Sequence, residues 1–283
     1  MARIASTVER IRAVGRGRRV KTRFALRRHL GRPFVVEAGG ETYRFACGSL
    51  DEYVRAHSFS WKERGTLAWI RDELRPGDVF FDVGANIGIY AIPAARKVGP
   101  DGRVYAFEPH VVNASSLLRN VGLNEVAERV RVLSCALNDG TGMFEFKYSD
   151  LEAGTSMSQL DADVDAFGRT LRPVAAETKF ATTVDALIEQ GAVRPPALVK
   201  IDVDGNEIRV LQGMRGLLTG SSRPRSIQVE VNPAERDELL SLMSDVGYEL
   251  AERHYTEGAQ RMLDRGDDPA TVPVNGIFRP GTT

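Results

Sequence analysis

Short apolar runs recur along the chain, and each is bounded by turn-forming residues. A short apolar run of this kind is typical of a strand that is buried on both faces, as in a parallel sheet. The runs predict five core strands, at residues 79–83, 104–107, 130–136, 197–201 and 226–231.

Segments with helical periodicity lie between these runs. Alternating strands and helices predict an α/β, doubly wound fold with a mainly parallel sheet covered on both faces. Tyr248–Arg253 and Gly276–Phe278 are predicted to close this sheet as a C-terminal antiparallel strand pair, and Phe144–Phe146 predicts an inserted strand. The helices are predicted at residues 50–55, 61–74, 114–121, 182–187, 207–218 and 236–246.

Residues 1–57 are predicted to form an extension ahead of the main domain, residues 58–283. A hairpin is expected from Phe34–Glu37 and Thr42–Cys47, joined around two glycines. The first thirty residues are strongly basic and predict a short amphipathic helix. That helix would contact anionic lipid or a phosphate group, or it would be a solvated helix or frayed terminus, which is the favoured interpretation.

Composition excludes several classes of protein. The 283 residues include 38 basic and 38 acidic ones, so the overall charge gives no reason to expect nucleic acid as a partner. No apolar run approaches the roughly 18 residues of a membrane span, and the N-terminus lacks the apolar segment of a secretory signal. Two cysteines cannot form a disulfide framework. A cytoplasmic protein is therefore expected.

The first core strand ends in an acid and continues into a glycine turn, D-V-G-A-N-I-G at residues 82–88. Gly84 and Gly88 are expected to let the backbone approach a ligand closely. The second strand ends in Glu108, where a carboxylate can accept the hydroxyl protons of a ribose. This unit predicts a nucleoside-binding site.

The identity of the nucleoside follows from two residues of the turn. Dinucleotide sites usually carry G-x-G-x-x-G, but Asn86 stands at the second glycine position. Asp82 would repel a pyrophosphate and would attract an ammonium group. These features favour S-adenosylmethionine over the dinucleotide of an oxidoreductase. A non-catalytic nucleoside-binding module is the other alternative, although it would not need acids at later strand tips.

Four stretches resemble the FkbM family, a branch of the class I S-adenosylmethionine-dependent methyltransferases. They are RPGD leading into DVGANIG, AFEP, GLNE and KIDVDGNE. The resemblance covers roughly residues 58–235 and implies methylation of a hydroxyl on a sugar or a secondary metabolite. The family usually has Glu where Asp204 stands, so the charge is kept and the side chain is shorter. A small-molecule acceptor is therefore expected.

Ligands of parallel sheets lie outside the carboxyl ends of the strands, which assigns further residues to the cofactor. The adenine ring is expected against Ala136 and Leu137, with Asn138 or Asp139 at its edge. The complete predicted cofactor set is Asp82, Gly84, Ala85, Asn86, Gly88, Glu108, Ala136, Leu137, Asn138 and Asp202.

Methylation of a hydroxyl needs a base, because a neutral hydroxyl is a poor nucleophile. Asp202 is the first candidate by position, followed by His110 and then Glu230. His110 is equally consistent with a helix-start residue without a chemical role. Asp202, Asp204 and Glu230 could alternatively hold a divalent cation, but their spacing matches no dedicated metal loop, and no metal is expected.

The resemblance also implies that the helix before the glycine turn lies beside the methionine end of the cofactor. Glu63 is therefore a candidate site residue, and a solvated glutamate is an equally good interpretation. Residues 149–175 are rich in Asp, Ser, Thr and Gly, and a lid over the substrate is favoured over a surface excursion. A nucleic-acid methyltransferase is disfavoured because an N-P-P-Y-type motif and a basic core are missing.

Overall fold

The computed structural model of the protein describes residues 22–25, 31–164 and 169–281. The basic helix predicted near the N-terminus lies outside these residues, apart from a helical turn at 22–25. The strands are β1 (Phe34–Ala38), β2 (Glu41–Phe45), β3 (Val79–Val83), β4 (Arg103–Phe107), β5 (Val130–Leu133), β6 (Ala136–Leu137), β7 (Gly142–Tyr148), β8 (Gln159–Leu160), β9 (Ala175–Thr182), β10 (Leu198–Ile201), β11 (Ser226–Val231), β12 (Tyr248–His254) and β13 (Val274–Pro280). The α-helices are α1 (Leu50–Ser58), α2 (Arg64–Glu73), α3 (Ala91–Val98), α4 (Val111–Leu123), α5 (Val184–Glu189), α6 (Glu207–Gln212), α7 (Arg215–Thr219), α8 (Arg236–Asp245) and α9 (Glu257–Asp264).

The central sheet has the strand order β12-β13-β11-β10-β3-β4-β5. Its pairs from β11 through β5 are parallel, whereas β13 pairs antiparallel with β11 and with β12. This confirms the predicted mainly parallel sheet and its antiparallel closing pair. The chain moves outward from β3 to β5 and then returns to β10 on the other side of β3. The carboxyl ends of β3 and β10 therefore flank a topological switch point, where ligands of such sheets bind.

The core has two layers because successive residues of a strand point to opposite faces. Phe81 belongs to the apolar cluster that contains residues of α5, α6 and α8. Phe80 belongs to the cluster on the other face, with residues of α2, α3 and α4. Both side chains are fully buried. The sheet is thus covered by helices on both faces, as predicted.

The N-terminal hairpin is present as predicted and packs on α4. Tyr43 and Phe45 lie in the same apolar cluster as Phe80. The side chain of Asn120 accepts from the backbone N–H of Ala46 at 2.7 Å and donates to the carbonyl of Ile87 at 2.8 Å. The hairpin therefore shares the core of the main fold, and the boundary at residue 57 stays a prediction.

The predicted third strand is interrupted. It ends at Leu133, and Ala136–Leu137 leave the central sheet to pair with β9 in a second sheet of order β6-β9-β7-β8. The inserted strand predicted around Phe144–Phe146 is the central part of β7. The second sheet has its own small apolar cluster, which includes Ala136 of β6. The chain therefore passes from the central sheet to the second sheet between β5 and β6.

The helix predicted at residues 207–218 is also interrupted, between α6 and α7. The carbonyl of Gly213 accepts the backbone N–H of Asp185 at 3.1 Å. The carboxylate of Asp185 accepts from the N–H groups of Gly216 and Leu217, which begin α7. A side chain from α5 therefore starts a new helix at this point. Within the described residues, no helix is both long and apolar enough to cross a membrane.

Candidate active site

A cavity of about 290 Å³ opens at the carboxyl edge of the central sheet. The sheet order divides its walls, because β4 and β5 lie to one side of β3 and β10, β11 and β13 lie to the other. The first side carries Glu108, Ala136 and Leu137. The second side carries Asp202 and Glu230. The predicted cofactor and reaction residues therefore face one cavity from opposite halves.

Asp82 ends β3 and lies beneath the cavity rather than on its wall. It is fully buried, and among the described residues neither carboxylate oxygen has a hydrogen-bond partner. Burial raises the pKa of Asp82 to about 6, although the nearby Lys200 offsets part of this effect. An unpartnered buried carboxylate is costly unless a ligand satisfies it. The position suits a cationic group.

The two glycines of the turn are needed for contacts within the protein. Gly84 has a φ of +80°, and a Cβ there would lie 1.8 Å from the carbonyl oxygen of Asp202. Gly88 has a φ of +89°, and its Cβ would lie 2.4 Å from a methyl of Leu117 in α4. Gly84 also lines the cavity together with Ala85, whereas Gly88 does not. Packing within the protein therefore requires both glycines, and close approach of the backbone to a ligand stays a prediction for Gly84, which lines the cavity.

Glu108 is held at the tip of β4 by two backbone donors. Its carboxylate accepts from the N–H of Asn86 at 2.6 Å and from the N–H of His110 at 2.9 Å. Asn86 presents that N–H from a left-handed conformation, with φ of 49°. Burial raises the pKa of Glu108 to about 7, against the two donors, which lower it. The carboxylate is fixed in position and lines the cavity as predicted.

His110 has a structural role that argues against its use as a base. Its Nδ1 accepts from the N–H of Asn113 and caps α4, and its Nε2 lies 2.9 Å from the carbonyl of Asp150. Nε2 must then carry the proton, so neither nitrogen has a free lone pair. Burial also lowers the pKa of His110, and the ring packs edge-on against Tyr148 at 4.6 Å. Of the two interpretations offered by the sequence, the helix-start residue fits the structure.

Ala136 and Leu137, against which the adenine ring is predicted to lie, line the cavity together with Cys135. Asn138 lies behind this wall, 1% exposed, and its side-chain amide has no hydrogen-bond partner among the described residues. Asp139 is exposed to solvent, and neither of the two polar residues expected at the adenine edge lines the cavity. The choice between Asn138 and Asp139 stays a prediction.

Asp202 at the tip of β10 is paired with a lysine that the sequence reasoning did not assign to the site. Lys200 is 1% exposed, and its Nζ donates to Asp202 at 2.9 Å and lies 4.9 Å from the ring of Tyr90. Burial alone would raise the pKa of Asp202, but the positive charge of Lys200 has the larger effect, and the pKa is lowered. Asp202 is thus an ionised carboxylate. A lysine inside an otherwise apolar strand was the signal that could have identified Lys200.

Glu230 at the tip of β11 faces the same half of the cavity as Asp202. Burial raises the pKa of Glu230 to about 9, and the negative charge of Asp202 adds to this effect. At neutral pH it therefore carries its proton. Glu63, also on the wall, is 8% exposed and lies 3.4 Å from the amide of Asn275. Glu63 is therefore a buried residue of the cavity wall, and the interpretation as a solvated glutamate is wrong.

The loop after β10 is held by Glu207, the first residue of α6. Its carboxylate accepts from the N–H of Val203 at 3.0 Å and from that of Gly205 at 3.0 Å. Burial raises the pKa of Glu207 to about 8, against these donors. The loop carries Asp204 in a left-handed conformation, with φ of 60°. Among the described residues, no group of three or more His, Cys, Asp or Glu is arranged to hold a metal ion.

Residues 150–160, which we call the strap, contribute part of the wall of the cavity. Thr155, Ser156, Ser158 and Leu160 line it. The strap falls within the segment for which the sequence favoured a lid over a surface excursion. The contact with the cavity wall is what both a lid and a fixed wall would make, so the lid stays a prediction.

The comparisons with known proteins agree with this geometry. The methyltransferase FkbM domain matches residues 82–250. Hexuronic acid methyltransferase AglP of Haloferax volcanii is 28% identical over 211 residues, which cover 74% of this chain and 80% of that protein. The 31-O-demethyl-FK506 methyltransferase FkbM of Streptomyces tacrolimicus is 32% identical over 239 residues, covering 74% and 88%. The crystal structure of a methyltransferase FkbM from Methylobacillus flagellatus is 18% identical, covers 81% of this chain and 52% of its own, and has a TM-score of 0.48.

The residues at the sheet edge fit the cofactor of such enzymes, S-adenosylmethionine. Asp82 offers two unpartnered carboxylate oxygens beneath the cavity, and Asn138 offers an unpartnered amide at its far end. Glu108 stands between them at the tip of β4. The matched region contains Asp82, Glu108, Asp202 and Glu230. The chain belongs to the FkbM family of S-adenosylmethionine-dependent methyltransferases.

Proposed function

We propose that the protein transfers the methyl group of S-adenosylmethionine to a hydroxyl oxygen of a sugar or a similarly polar metabolite. The observation that supports this most directly is the position of Asp202 and Glu230. They end neighbouring strands and face, across one cavity, the residues proposed for the cofactor. Catalysis then depends mainly on alignment, because the cofactor supplies an already activated methyl group.

The side of the cavity that carries Glu108, Ala136 and Leu137 is called the cofactor half. Each of its residues is proposed to contact one chemical group of the cofactor. Asp82, which lies beneath the cavity, would attract the ammonium group of the methionine part by its charge. Glu108 would accept the ribose hydroxyls, and Ala136 and Leu137 would lie against the adenine ring. Asn138 would supply the polar group at the adenine edge. Each assignment uses a residue predicted from the sequence.

The side of the cavity that carries Asp202 and Glu230 is called the acceptor half. Its two carboxyl groups are proposed to have different roles. Asp202 is ionised because Lys200 is paired with it, so it can orient the acceptor hydroxyl and take its proton as the new bond forms. Glu230 is protonated in the ligand-free protein, so it can donate a hydrogen bond to a second oxygen of the acceptor. The positively charged sulfonium of a bound cofactor in the cofactor half would lower the pKa of Glu230.

The lining of the acceptor half favours a polar substrate. Among the described residues that β10, β11, β13, α2, α9 and their adjoining loops place on the wall, all except Phe59 and Val203 are polar or charged. Sites for apolar ligands are lined mainly by hydrophobic and aromatic side chains. A polyhydroxylated acceptor would satisfy these groups, which are Lys62, Glu63, Lys200, Asp202, Asp204, Asn206, Glu230, Thr256 and Asn275.

The cofactor assignment is tested by calorimetry with S-adenosylhomocysteine, the product of methyl transfer. We expect binding to the wild type and a loss of affinity of tenfold or more in Asp82→Asn and Glu108→Gln, because each change removes a charged contact worth about 1.5–3 kcal/mol. Asp101→Asn, at an exposed position, is the matched control and should bind normally. Unchanged affinity in both site variants would contradict the assignment.

The acceptor assignment is tested with methyl-labelled S-adenosylmethionine and two panels of small molecules. One panel contains free and glycosidic sugars, including uronic acids, and the other contains apolar alcohols of similar size. We expect label to enter the sugar panel and to fall at least a hundredfold in Asp202→Ala, because the base is removed. Labelling confined to apolar alcohols, or to amines, would reject the proposed acceptor.

A further inference from the structure

The strap is attached at two places that belong to different halves of the cavity. At its first attachment, the side chain of Asn113 accepts from the N–H of Gly154 at 2.7 Å and donates to the carbonyl of Thr155 at 3.1 Å. The same carbonyl accepts from the side chain of Asn86, in the glycine turn, at 2.7 Å. This end of the strap is therefore attached to the cofactor half.

The second attachment lies in the acceptor half and depends on the loop after β10. The carboxylate of Asp204 accepts from the N–H of Met157 at 2.6 Å, and its carbonyl accepts from the side chain of Gln159 at 2.7 Å. The side chain of Asn206 donates to Gln159 at 3.0 Å. Asp204 thus provides both a charged and a backbone acceptor for the strap.

Backbone conformation marks this junction as strained. Five described residues other than glycine have a positive φ, and four of them lie at the strap or at its attachments: Asn86, Met157, Asp161 and Asp204. Such conformations cost free energy and persist only where surrounding contacts enforce them. For Met157, the enforcing contact is the hydrogen bond to Asp204. Without this hydrogen bond, we expect Met157 to leave its left-handed conformation and the strap to change its backbone conformation.

The strap shares the cavity with a residue proposed to contact the cofactor. Glu108 is 5% exposed and lines the cavity together with Thr155, Ser156 and Ser158 of the strap, and Asn86, which donates to Glu108, is itself bonded to the strap. A ligand bound at Glu108 would therefore lie beside the strap. On this basis we infer that Asp204 is a positioning residue that fastens the strap over the cofactor and sets the rate at which the cofactor and its product exchange.

This inference rests on the proposed placement of the cofactor, and its experiment does not need the methyl acceptor. Association and dissociation rates of S-adenosylhomocysteine are measured by surface plasmon resonance, and amide hydrogen exchange of residues 150–160 is followed with and without this ligand. In Asp204→Ala we expect both rates to rise on the order of tenfold, with less than a threefold change in Kd, because one charge-assisted hydrogen bond is lost. Strap amides should exchange faster in the same variant.

Three further variants make the test specific. Asp204→Asn keeps an oxygen that can accept from Met157 and should stay within threefold of the wild-type rates. Asp101→Ala, at an exposed position, should leave them unchanged. Gly154→Ala acts at the other attachment, where φ is +86° and a Cβ would lie 2.6 Å from the backbone nitrogen of Glu52. It should reproduce the faster exchange even if Asp204→Ala does not fold.

The outcomes separate the inference from the assignment on which it rests. No binding of S-adenosylhomocysteine to the wild type would reject the cofactor placement itself. Binding with unchanged rates and unchanged strap exchange in a folded Asp204→Ala would overturn the inference alone, and if this variant does not fold, the same result in Gly154→Ala would overturn it. A weaker Kd in Asp204→Ala that comes only from faster dissociation would also overturn it, since this result would make Asp204 a direct ligand contact.

Discussion

The contact between Gly84 and the tip of β10 can be tested by replacing Gly84 with alanine. The added Cβ would lie 1.8 Å from the carbonyl oxygen of Asp202, whereas real Cβ contacts essentially never fall below 3.0 Å. The turn or the tip of β10 must therefore move by more than an ångström. Such a shift would also disturb the bond from the N–H of Asp202 to the carbonyl of Val83, now 3.1 Å.

Gly77→Ala is the matched control, because it separates the cost of conformation from the cost of contact. Gly77 has a φ of +85°, close to the +80° of Gly84, but a Cβ there would meet nothing within 4 Å. A left-handed alanine costs roughly 1–2 kcal/mol, and both variants carry this cost. Only Gly84→Ala adds overpacking, which costs about 1–3 kcal/mol. That second amount is the expected difference between them.

The assay is urea-induced unfolding followed by circular dichroism, with the free energy of unfolding obtained by linear extrapolation. Calorimetry with S-adenosylhomocysteine on the folded variants gives a second readout. We expect Gly84→Ala to lose the larger free energy and to bind the ligand more weakly, while Gly77→Ala binds normally. Equal destabilisation of the two variants, with equal ligand affinity, would refute the reasoning.

Three other predictions concern stability. Asn120→Ala should lower the free energy of unfolding by about 2–3 kcal/mol in urea titrations, because it leaves the buried N–H of Ala46 and the carbonyl of Ile87 unpaired; a loss below 1 kcal/mol would argue against this bridge. His110→Ala should cost about 1 kcal/mol more than His110→Asn, because both variants lose the ring contacts and only Asn can still cap the helix; equal losses would reject the capping role. Burial raises the pKa of Glu230 from 4.5 to about 9, so the folded protein holds a proton that the unfolded chain releases between these values, and the free energy of unfolding falls as pH rises through this window. Glu230→Gln should therefore show a shallower fall between pH 5 and 9, and an unchanged slope would contradict the burial argument.

Much of the fold could be predicted because its signals are local. The run around Phe80 is apolar on both faces, and its boundaries are marked by turn residues. The cofactor turn could be located for the same reason, since Asp82 and Glu108 each follow directly after such a run. Asp202 and Glu230 could be predicted to line one cavity, because the parallel strands that carry them end at the same edge of the sheet.

The features that could not be predicted depend on contacts between distant segments. The break at Gly213 follows from a bond to Asp185, 28 positions earlier in the chain. β9 and α9 were not predicted: β9 pairs with the inserted strand β7, and α9 buries only Ala259, so the helix adds almost nothing to the buried core. The attachment of the strap to Asp204 likewise joins residues 47 positions apart.

The direct pairing of β3 with β10 has a consequence for how this type of enzyme can change its substrate. Neighbouring strands lie about 4.8 Å apart, so the sheet itself fixes the separation between the donor and acceptor positions. Asp82 and Lys200 are register partners on these strands. New acceptors can therefore be accommodated by exchanging the strap and the surface around α9, while the spacing that governs methyl transfer is inherited unchanged.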